Sequence, residues 1–457
     1  MILAILTDTT NHTTVARRYR ITRHTLVSEI LTFSSELFLS NKKWTKLIEY
    51  QEKKSYLWTD LKLNLKSARH MNDNLIYRTL TDEIKRLNPH FPVITITGPR
   101  QSGKTTLCRE LFPDYVYINL EDTALREQIQ RDTKGFLNQQ SKKLIIDEAH
   151  HYPELFSYIQ VLVDTDPERR FILTGSSNFS LLEKITQSLA GRTAILTLLP
   201  LSLYELGQES IRNLSTETLI LNGGYPAIWS KGVPRDALYR NYYTTYIERD
   251  VRQIINIKDM SLFQTFIRLC AGRIGTEFNA SALSGDVGTS SLTISSWTSA
   301  LAASYVAYML PPYFANIGKR LVKASKIYFY DTGLAAYLLG IENEEQLATH
   351  PAKGALFENL IVNEAMKNRL NKGKDPNLYF YRDKSQKEVD LLLTNANDIQ
   401  AYEIKSGQSF HKEFFKGIDY LTEIFGNRLT KTAVIFDGQD EVHIEKNGVY
   451  NFRNFHL

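Results

Sequence analysis

Apolar and polar positions change rhythm several times along the chain. From Phe91 onward, short runs rich in β-branched residues (Val93–Thr97, Tyr115–Leu120, Leu144–Asp147, Phe171–Thr174 and Thr193–Leu198) alternate with longer stretches of mixed polarity. Unbroken apolar runs suit strands covered on both faces, and the spacers are long enough for crossover helices. The pattern therefore predicts an α/β domain built on a parallel sheet. After Pro200 the strand signal fades into a polar, aromatic-rich helical region through Gly275. Ala280 to Tyr305 then reads as a helix-turn-helix, with small Ser284, Gly288 at the turn, and Ile294 and Trp297 placed to pack the second helix on the first. From Lys353 the pattern is a helix followed by strands, the last at Thr432–Phe436 and Val442–Ile444.

Residues 287–318 carry no charged side chain, but Ser and Thr crowd the first half and Pro311-Pro312 interrupts the end. That stretch reads as a buried helix and not as a membrane span. The opening Met-Ile-Leu-Ala-Ile-Leu is too short for a signal segment and lacks a positive flank before it, so the expected location is the cytoplasm. Cys108 and Cys270 are the two cysteines, too few for a disulfide framework or a cysteine-built zinc site. With 457 residues, 43% hydrophobic and 23% charged, the chain has material for several globular cores. The net charge of +5 is unevenly spread: residues 1–70 hold 12 Lys and Arg against 6 Asp and Glu, while the remainder holds 43 against 44. A uniformly basic nucleic-acid binder is thereby excluded.

The clearest chemistry lies at Gly98, Pro99, Arg100, Gln101, Ser102, Gly103, Lys104 and Thr105, followed by Thr106, which satisfy G-x-x-x-x-G-K-[ST] between an expected strand and an expected helix. Backbone N–H groups of such a loop surround phosphate oxygens. Lys104 neutralises β and γ charge, and the Thr105 hydroxyl ligates Mg²⁺. The run Leu144–Asp147 followed by Glu148 ends a buried strand in two acids, Asp147 toward the Mg²⁺ shell and Glu148 toward the attacking water. The expected cofactors are ATP and Mg²⁺. Asn178 or Ser177, just past the Phe171–Thr174 run and beside the expected γ-phosphate position, is the candidate sensor that positions the attacking water. The run Tyr115–Leu120 falls between the two motifs in the chain, in keeping with ATPases that carry an extra strand between the Walker strands.

These motifs, with Ala190-Gly-Arg, Gly223-Gly-Tyr-Pro, Glu248-Arg-Asp-Val, Tyr328-Phe-Tyr-Asp-Thr-Gly-Leu and Glu388-Val-Asp, form an ordered set. The set resembles that of the prokaryotic AAA-type P-loop ATPases whose C-terminal half is a domain of unknown function with a PD-(D/E)XK nuclease-like fold. The charge distribution marks 1–70 as a basic extension with a possible helix-turn-helix, and the resemblance, which spans Tyr77 to the C-terminus, implies an ATPase core over 71–205, a helical lid and winged-helix-like region over 206–335, and an α/β restriction-endonuclease-like domain over 336–457. It makes Arg192 and Arg249 candidates for an arginine that contacts the γ-phosphate, in some assemblies from a neighbouring subunit. A site of the PD-(D/E)XK kind needs a carboxylate on one strand and an acid and a lysine two apart on the next. Asp390, Glu403 and Lys405 meet that need, with Glu358 on an upstream helix as a fourth group. Asp390 and Glu403 would hold Mg²⁺, and the alternative is a hairpin whose charged ends simply pair with one another.

Two segments invite a DNA reading. The second helix of the middle helix-turn-helix offers hydroxyls and no Lys or Arg over 291–302, which favours packing between domains over DNA contact, although Lys319, Arg320, Lys323 and Lys326 follow on the next hairpin as a basic wing. The N-terminal stretch from Val15 to Ile30 also has helix-turn-helix character, with Arg20 where glycine is favoured. The expected function is an ATPase acting on nucleic acid or a protein partner, in a homo-oligomer and without a membrane. Its C-terminal domain would bind or cut DNA. The alternative is an ATP-gated switch with a catalytically dead nuclease-like docking domain.

Overall fold

The computed structural model describes residues 75–176, 187–251, 257, 259–313, 324–383, 385–439, 442–444 and 447–455, with backbone alone at 249, 250 and 442–444. The N-terminal helix-turn-helix, Ser177, Asn178, Lys319, Arg320 and Lys323 lie outside the described residues.

The described residues begin with a five-stranded parallel sheet in the order β2-β3-β4-β1-β5. Its strands are β1 (Val93–Thr97), β2 (Val116–Asn119), β3 (Lys143–Asp147), β4 (Arg170–Gly175) and β5 (Thr193–Thr197). All five expected runs form strands. Every residue of β1 is buried, since the sheet carries one apolar layer around Leu144, Ile146, Phe156 and Phe171 and another around Ile94, Ile96, Leu107 and Ile172. The strand between β1 and β3 is β4, whereas β2 lies at the edge. The order of strands in the chain therefore does not give their order in the sheet. The separating strand comes after the second acid motif, not between the two motifs.

Among the described residues, the middle is mostly helical between Leu203 and Ala303 and includes a π-helix at Tyr243–Val251. Helix Ala280–Val287 starts with Asn279 accepting from the Ala282 N–H and ends at Gly288, whose φ of +80° is the left-handed conformation that glycine takes without strain. Helix Ser291–Ala303 follows, capped by Ser290, and its Trp297 packs edge-on to Phe263 with centroids 5.4 Å apart. The opposite side of this helix faces outward. Ser291, Leu292, Ser295, Ser296 and Ser299 are exposed, Leu292 at 82%. The uncharged stretch thus forms this helix and the first strand of a hairpin, β6 (Ala307–Leu310) with β7 (Lys326–Phe329). Among the described residues no helix is long and apolar enough to cross a membrane.

After helix Lys353–Asn371 comes a six-stranded mixed sheet in the order β12-β13-β11-β10-β9-β8. Its strands are β8 (Leu378–Arg382), β9 (Glu388–Asn395), β10 (Asp398–Lys405), β11 (Leu429–Phe436), β12 (Val442–Ile444) and β13 (Asn447–Asn451). Strands β9 and β10 are an antiparallel hairpin, and β11 lies parallel to β10 after helix Lys416–Phe425. The β6–β7 hairpin joins this sheet: Pro312 pairs with Phe380 of β8, and the Tyr313 N–H donates to the Phe380 carbonyl at 2.7 Å. One apolar core runs from Phe263 and Trp297 in the middle region to Phe357, Leu391 and Ile435 in the C-terminal part.

Candidate nucleotide site and a second carboxylate site

β1 ends at Thr97, and Gly98 turns away with φ +141°, where a Cβ would stand 2.2 Å from the Leu198 carbonyl oxygen. Only glycine fits that approach. Gln101 and Gly103 follow with φ +62° and +94°, and helix Lys104–Leu111 begins at once. The Lys104 ammonium is buried and donates to the carbonyls of Gly98 (2.9 Å) and Pro99 (2.8 Å). Burial lowers its pKa, against the pull of Glu148 and Asp147. Arg78 ties the loop from outside, donating to the Ser102 carbonyl (2.6 Å) and the Leu199 carbonyl (2.6 Å) and pairing with Glu205 (3.1 Å). Arg100 pairs with Glu121 at 3.0 Å. A cavity of about 400 Å³ opens over Gln101, Gly103, Lys104, Thr105 and Thr106, walled by Leu75, Ile76, Pro226 and Ser230.

At the end of β3, Asp147 accepts from the Thr105 hydroxyl (2.8 Å), the Tyr117 hydroxyl (2.6 Å) and the Thr174 hydroxyl. Glu148 has a left-handed backbone, φ +51°. Its Oε2 accepts from the Ser176 N–H (3.1 Å) and Oγ (3.2 Å) and lies 3.1 Å from His150 Nδ1. Burial alone would raise this carboxyl. His150, Lys104 and the Ser176 N–H outweigh it and bring the pKa down to about 2, so Glu148 stays ionised near neutrality. Sequence reasoning passed over Tyr117, Thr174, Ser176, His150 and Arg78. Thr174 and Ser176 precede the expected sensor residues by a few positions, and the strand-end rule that selected Asn178 applies equally to them. Arg192 makes a two-pronged pair with Asp164 of helix Leu155–Thr165, at 2.6 and 2.7 Å. The Arg249 side chain lies outside the described residues.

Two motifs of the ordered set meet beside the cavity. Asp331 accepts from the Gly224 N–H (2.7 Å), the Tyr239 hydroxyl (2.8 Å) and the Leu334 N–H (3.0 Å). A Cβ on Gly223 would stand 2.4 Å from both Asp331 Oδ1 and the Tyr239 hydroxyl. This buried carboxylate therefore fixes the Gly-Gly-Tyr-Pro turn that sets Pro226 against the nucleotide cavity.

In the C-terminal sheet, alternation along β10 puts Glu403 and Lys405 on one face, with Asp390 of β9 opposite. Lys405 Nζ lies 2.7 Å from Glu403 and 3.2 Å from Asp390, which also accepts from the Ile404 N–H at 2.8 Å. Helix Lys416–Phe425 approaches so closely that a Cβ on Gly417 would stand 2.3 Å from Glu403 Oε1. A cavity of about 340 Å³ exposes Glu388, Asp390, Glu403 and Lys405. Burial, then the Asp390 charge, raises Glu403 to about 9. Burial would raise Asp390 too, but Lys405 and Lys326 lower it.

Lys326 is not on a basic wing. It is 2% exposed, with Nζ 2.6 Å from Glu388 and 3.2 Å from Glu358, because β7 lies within the core and its side chains reach the carboxylates of β9 and helix Lys353–Asn371. Glu358 also accepts from the Tyr328 hydroxyl, and burial, then Asp390, raises it to about 7. The expected four groups are therefore neighbours, joined by two that sequence reasoning placed elsewhere or missed, Lys326 and Glu388. Among the described residues no group of three or more His, Cys, Asp or Glu is placed to hold a metal ion.

Comparison with known proteins matches residues 90–207 to an AAA domain, residues 213–345 to a domain of unknown function (DUF8612) and residues 353–455 to a domain of unknown function (DUF4143). The uncharacterized protein Rv2008c of Mycobacterium tuberculosis is 32% identical over 336 residues, covering 72% of this chain and 73% of that protein. The uncharacterized protein MJ1544 of Methanocaldococcus jannaschii is 24% identical over 365 residues, covering 73% and 77%. Among solved structures, the Walker-type ATPase paby2304 of Pyrococcus abyssi is similar at 15% identity, over 58% of this chain and 96% of that one, with a TM-score of 0.38.

Proposed function

The chain is an AAA-domain protein that belongs to one family with Rv2008c, and from that premise we propose that it hydrolyses ATP with Mg²⁺ and uses the turnover to rearrange a nucleic acid or a protein partner. The observation that carries this reading is the contact of Thr105 with Asp147 at 2.8 Å, beside a buried Lys104, under a cavity of about 400 Å³. The hydroxyl and carboxylate are hard oxygen donors of the kind Mg²⁺ takes. When bound with the nucleotide, the ion would be held by Thr105 and Asp147 and would offset phosphate charge.

Lys104 then faces the β and γ phosphates, and N–H groups of the loop and helix start surround them. Glu148, ionised and held by Ser176 and His150, orients the attacking water. Its low pKa suits orientation better than early proton removal, in keeping with a loose phosphoryl-transfer transition state. An assembly of copies would bring Arg249, or Arg192 released from Asp164, to the γ-phosphate. The test is ATP turnover with and without DNA, beside Lys104→Ala. No turnover by well-folded protein under either condition would sink the reading.

For the C-terminal cavity we propose divalent-dependent phosphodiester hydrolysis on a PD-(D/E)XK-like framework. Asp390 and Glu403 would supply oxygen donors to a divalent ion, which would offer Lewis-acid chemistry there, with Lys405 placed to steady an attacking hydroxide and Glu358 to support them. Incubation with linear, supercoiled and single-stranded DNA and Mg²⁺ or Mn²⁺, beside Asp390→Ala, tests it. A second reading, the ATP-gated switch with a dead docking domain, is favoured by one observation: Lys405 and Lys326 already pair Asp390, Glu403, Glu358 and Glu388. Cleavage in the wild type that Asp390→Ala abolishes supports the hydrolase. Its absence from an ATP-hydrolysing protein supports the switch.

A further inference from the structure

Between the nucleotide cavity and the carboxylate cavity runs a continuous series of packed tyrosines. Tyr305 donates its hydroxyl to Thr97 Oγ1 at 2.9 Å, and Thr97 is the last residue of β1 before Gly98. The Tyr305 ring meets Tyr330 (centroids 5.4 Å), Tyr330 meets Tyr308 (4.7 Å), and Tyr308 stacks on Tyr328 (5.9 Å). Tyr328 donates to Glu358, and its strand neighbour Lys326 holds Glu358 and Glu388 together. The rings of Tyr305, Tyr308 and Tyr328 are buried, and burial raises each phenol's pKa, so the series stays neutral.

Both ends of the series are fixed. Tyr305 has φ +54°, a left-handed backbone that a tyrosine rarely adopts, and its hydroxyl and ring are both engaged. A Cβ at Gly98 would stand 2.2 Å from the Leu198 carbonyl oxygen, and the Leu198 N–H donates to the Thr97 carbonyl at 2.8 Å, so the start of the loop packs against the end of β5. The carbonyls that hold Lys104 belong to Gly98 and Pro99, the two residues after Thr97. Close-packed interiors pass on displacement instead of absorbing it.

We propose that Tyr305 and Tyr328, the two ends of this series, are positioning residues that couple the phosphate-binding loop to the carboxylate cluster. The inference rests on the reading that the loop binds ATP. Occupancy of the nucleotide cavity sets the place of β1, and through the tyrosines the place of Glu358. By thermodynamic reciprocity, a change at Glu358 alters nucleotide affinity at a site it does not touch.

The experiment is a double-mutant cycle on the full chain, with MgATP binding and steady-state turnover as readouts. Tyr305→Phe and Tyr328→Phe keep the rings and remove one hydroxyl each. Lys104→Ala defines binding in the cavity. Each Phe variant is expected to change the MgATP dissociation constant by about five-fold or more. The double variant should show no more than the larger single effect. A purely structural role would lower thermal stability without this non-additivity. If wild type binds MgATP, loses it in Lys104→Ala, and Tyr328→Phe binds like wild type, the inference is overturned alone. Independent, multiplying effects of the two Phe variants overturn it equally. If wild type shows no binding that depends on Lys104, the ATP reading and the inference fall together.

Discussion

At the scale of the residue, the nucleotide site depends on a few positions with no freedom to vary. Gly98→Ala places a Cβ 2.2 Å from a backbone carbonyl, where neither partner can yield without moving a central strand. The expected result is loss of MgATP binding, read by calorimetry, with a lowered melting temperature. Glu148→Gln keeps the shape and removes the charge that orients water. It should bind MgATP like wild type while turnover falls by roughly 10²–10⁴-fold, the range that a side chain positioned on the attacking water contributes. Arg78 and Glu205 are both nearly inaccessible, so Arg78→Met strands a buried carboxylate beside the loop. A loss of about 3–5 kcal/mol in unfolding free energy, measured with denaturant, is expected, together with weaker ATP binding. Arg78 could not be singled out from the sequence, because its partners at Ser102, Leu199 and Glu205 are distant in the chain and meet it only after β5 is in place.

At the scale of the element, Gly288 closes the turn between two helices with φ +80° and no neighbour near its absent Cβ. Gly288→Ala is therefore opposed only by the backbone. It should cost about 1 kcal/mol in chemical denaturation, and Gly288→Asn less. This turn and the five strands of the first sheet were legible because local composition decides them: a glycine at a left-handed position, and β-branched runs covered on both faces. The place of β4 between β1 and β3 was not legible, since strand order follows from crossover packing and leaves no mark within a strand. Lys326 was misread for a related reason. A lysine among Lys319, Arg320 and Lys323 looks like part of a solvated face, while Glu358 and Glu388, which justify its burial, come later in the chain and on other elements. The triad Asp390, Glu403 and Lys405 was legible, because a hairpin with period-two alternation aligns its own side chains.

At the scale of the whole molecule, buried carboxylates give stability a pH dependence of unusual sign. Glu403 and Glu358 have folded pKa values of about 9 and about 7, above the usual carboxylate range, so between about pH 4.5 and those values the folded chain holds more protons than the unfolded one. Stability should then fall as pH rises from 5 through 9, and Glu403→Gln should flatten the slope, as melting temperatures across that range would show. The same architecture bears on how the sheet avoids unwanted company. β8 is the last strand of its sheet, and such an edge offers unpaired N–H and C=O groups to any other extended chain. The segment that directly follows β6 covers part of that edge through Pro312, a residue with no N–H of its own to extend the ladder. A C-terminal domain passed on without that segment would carry a bare, adhesive rim. A C-terminal fragment cut to keep that segment is expected to aggregate less than one that lacks it.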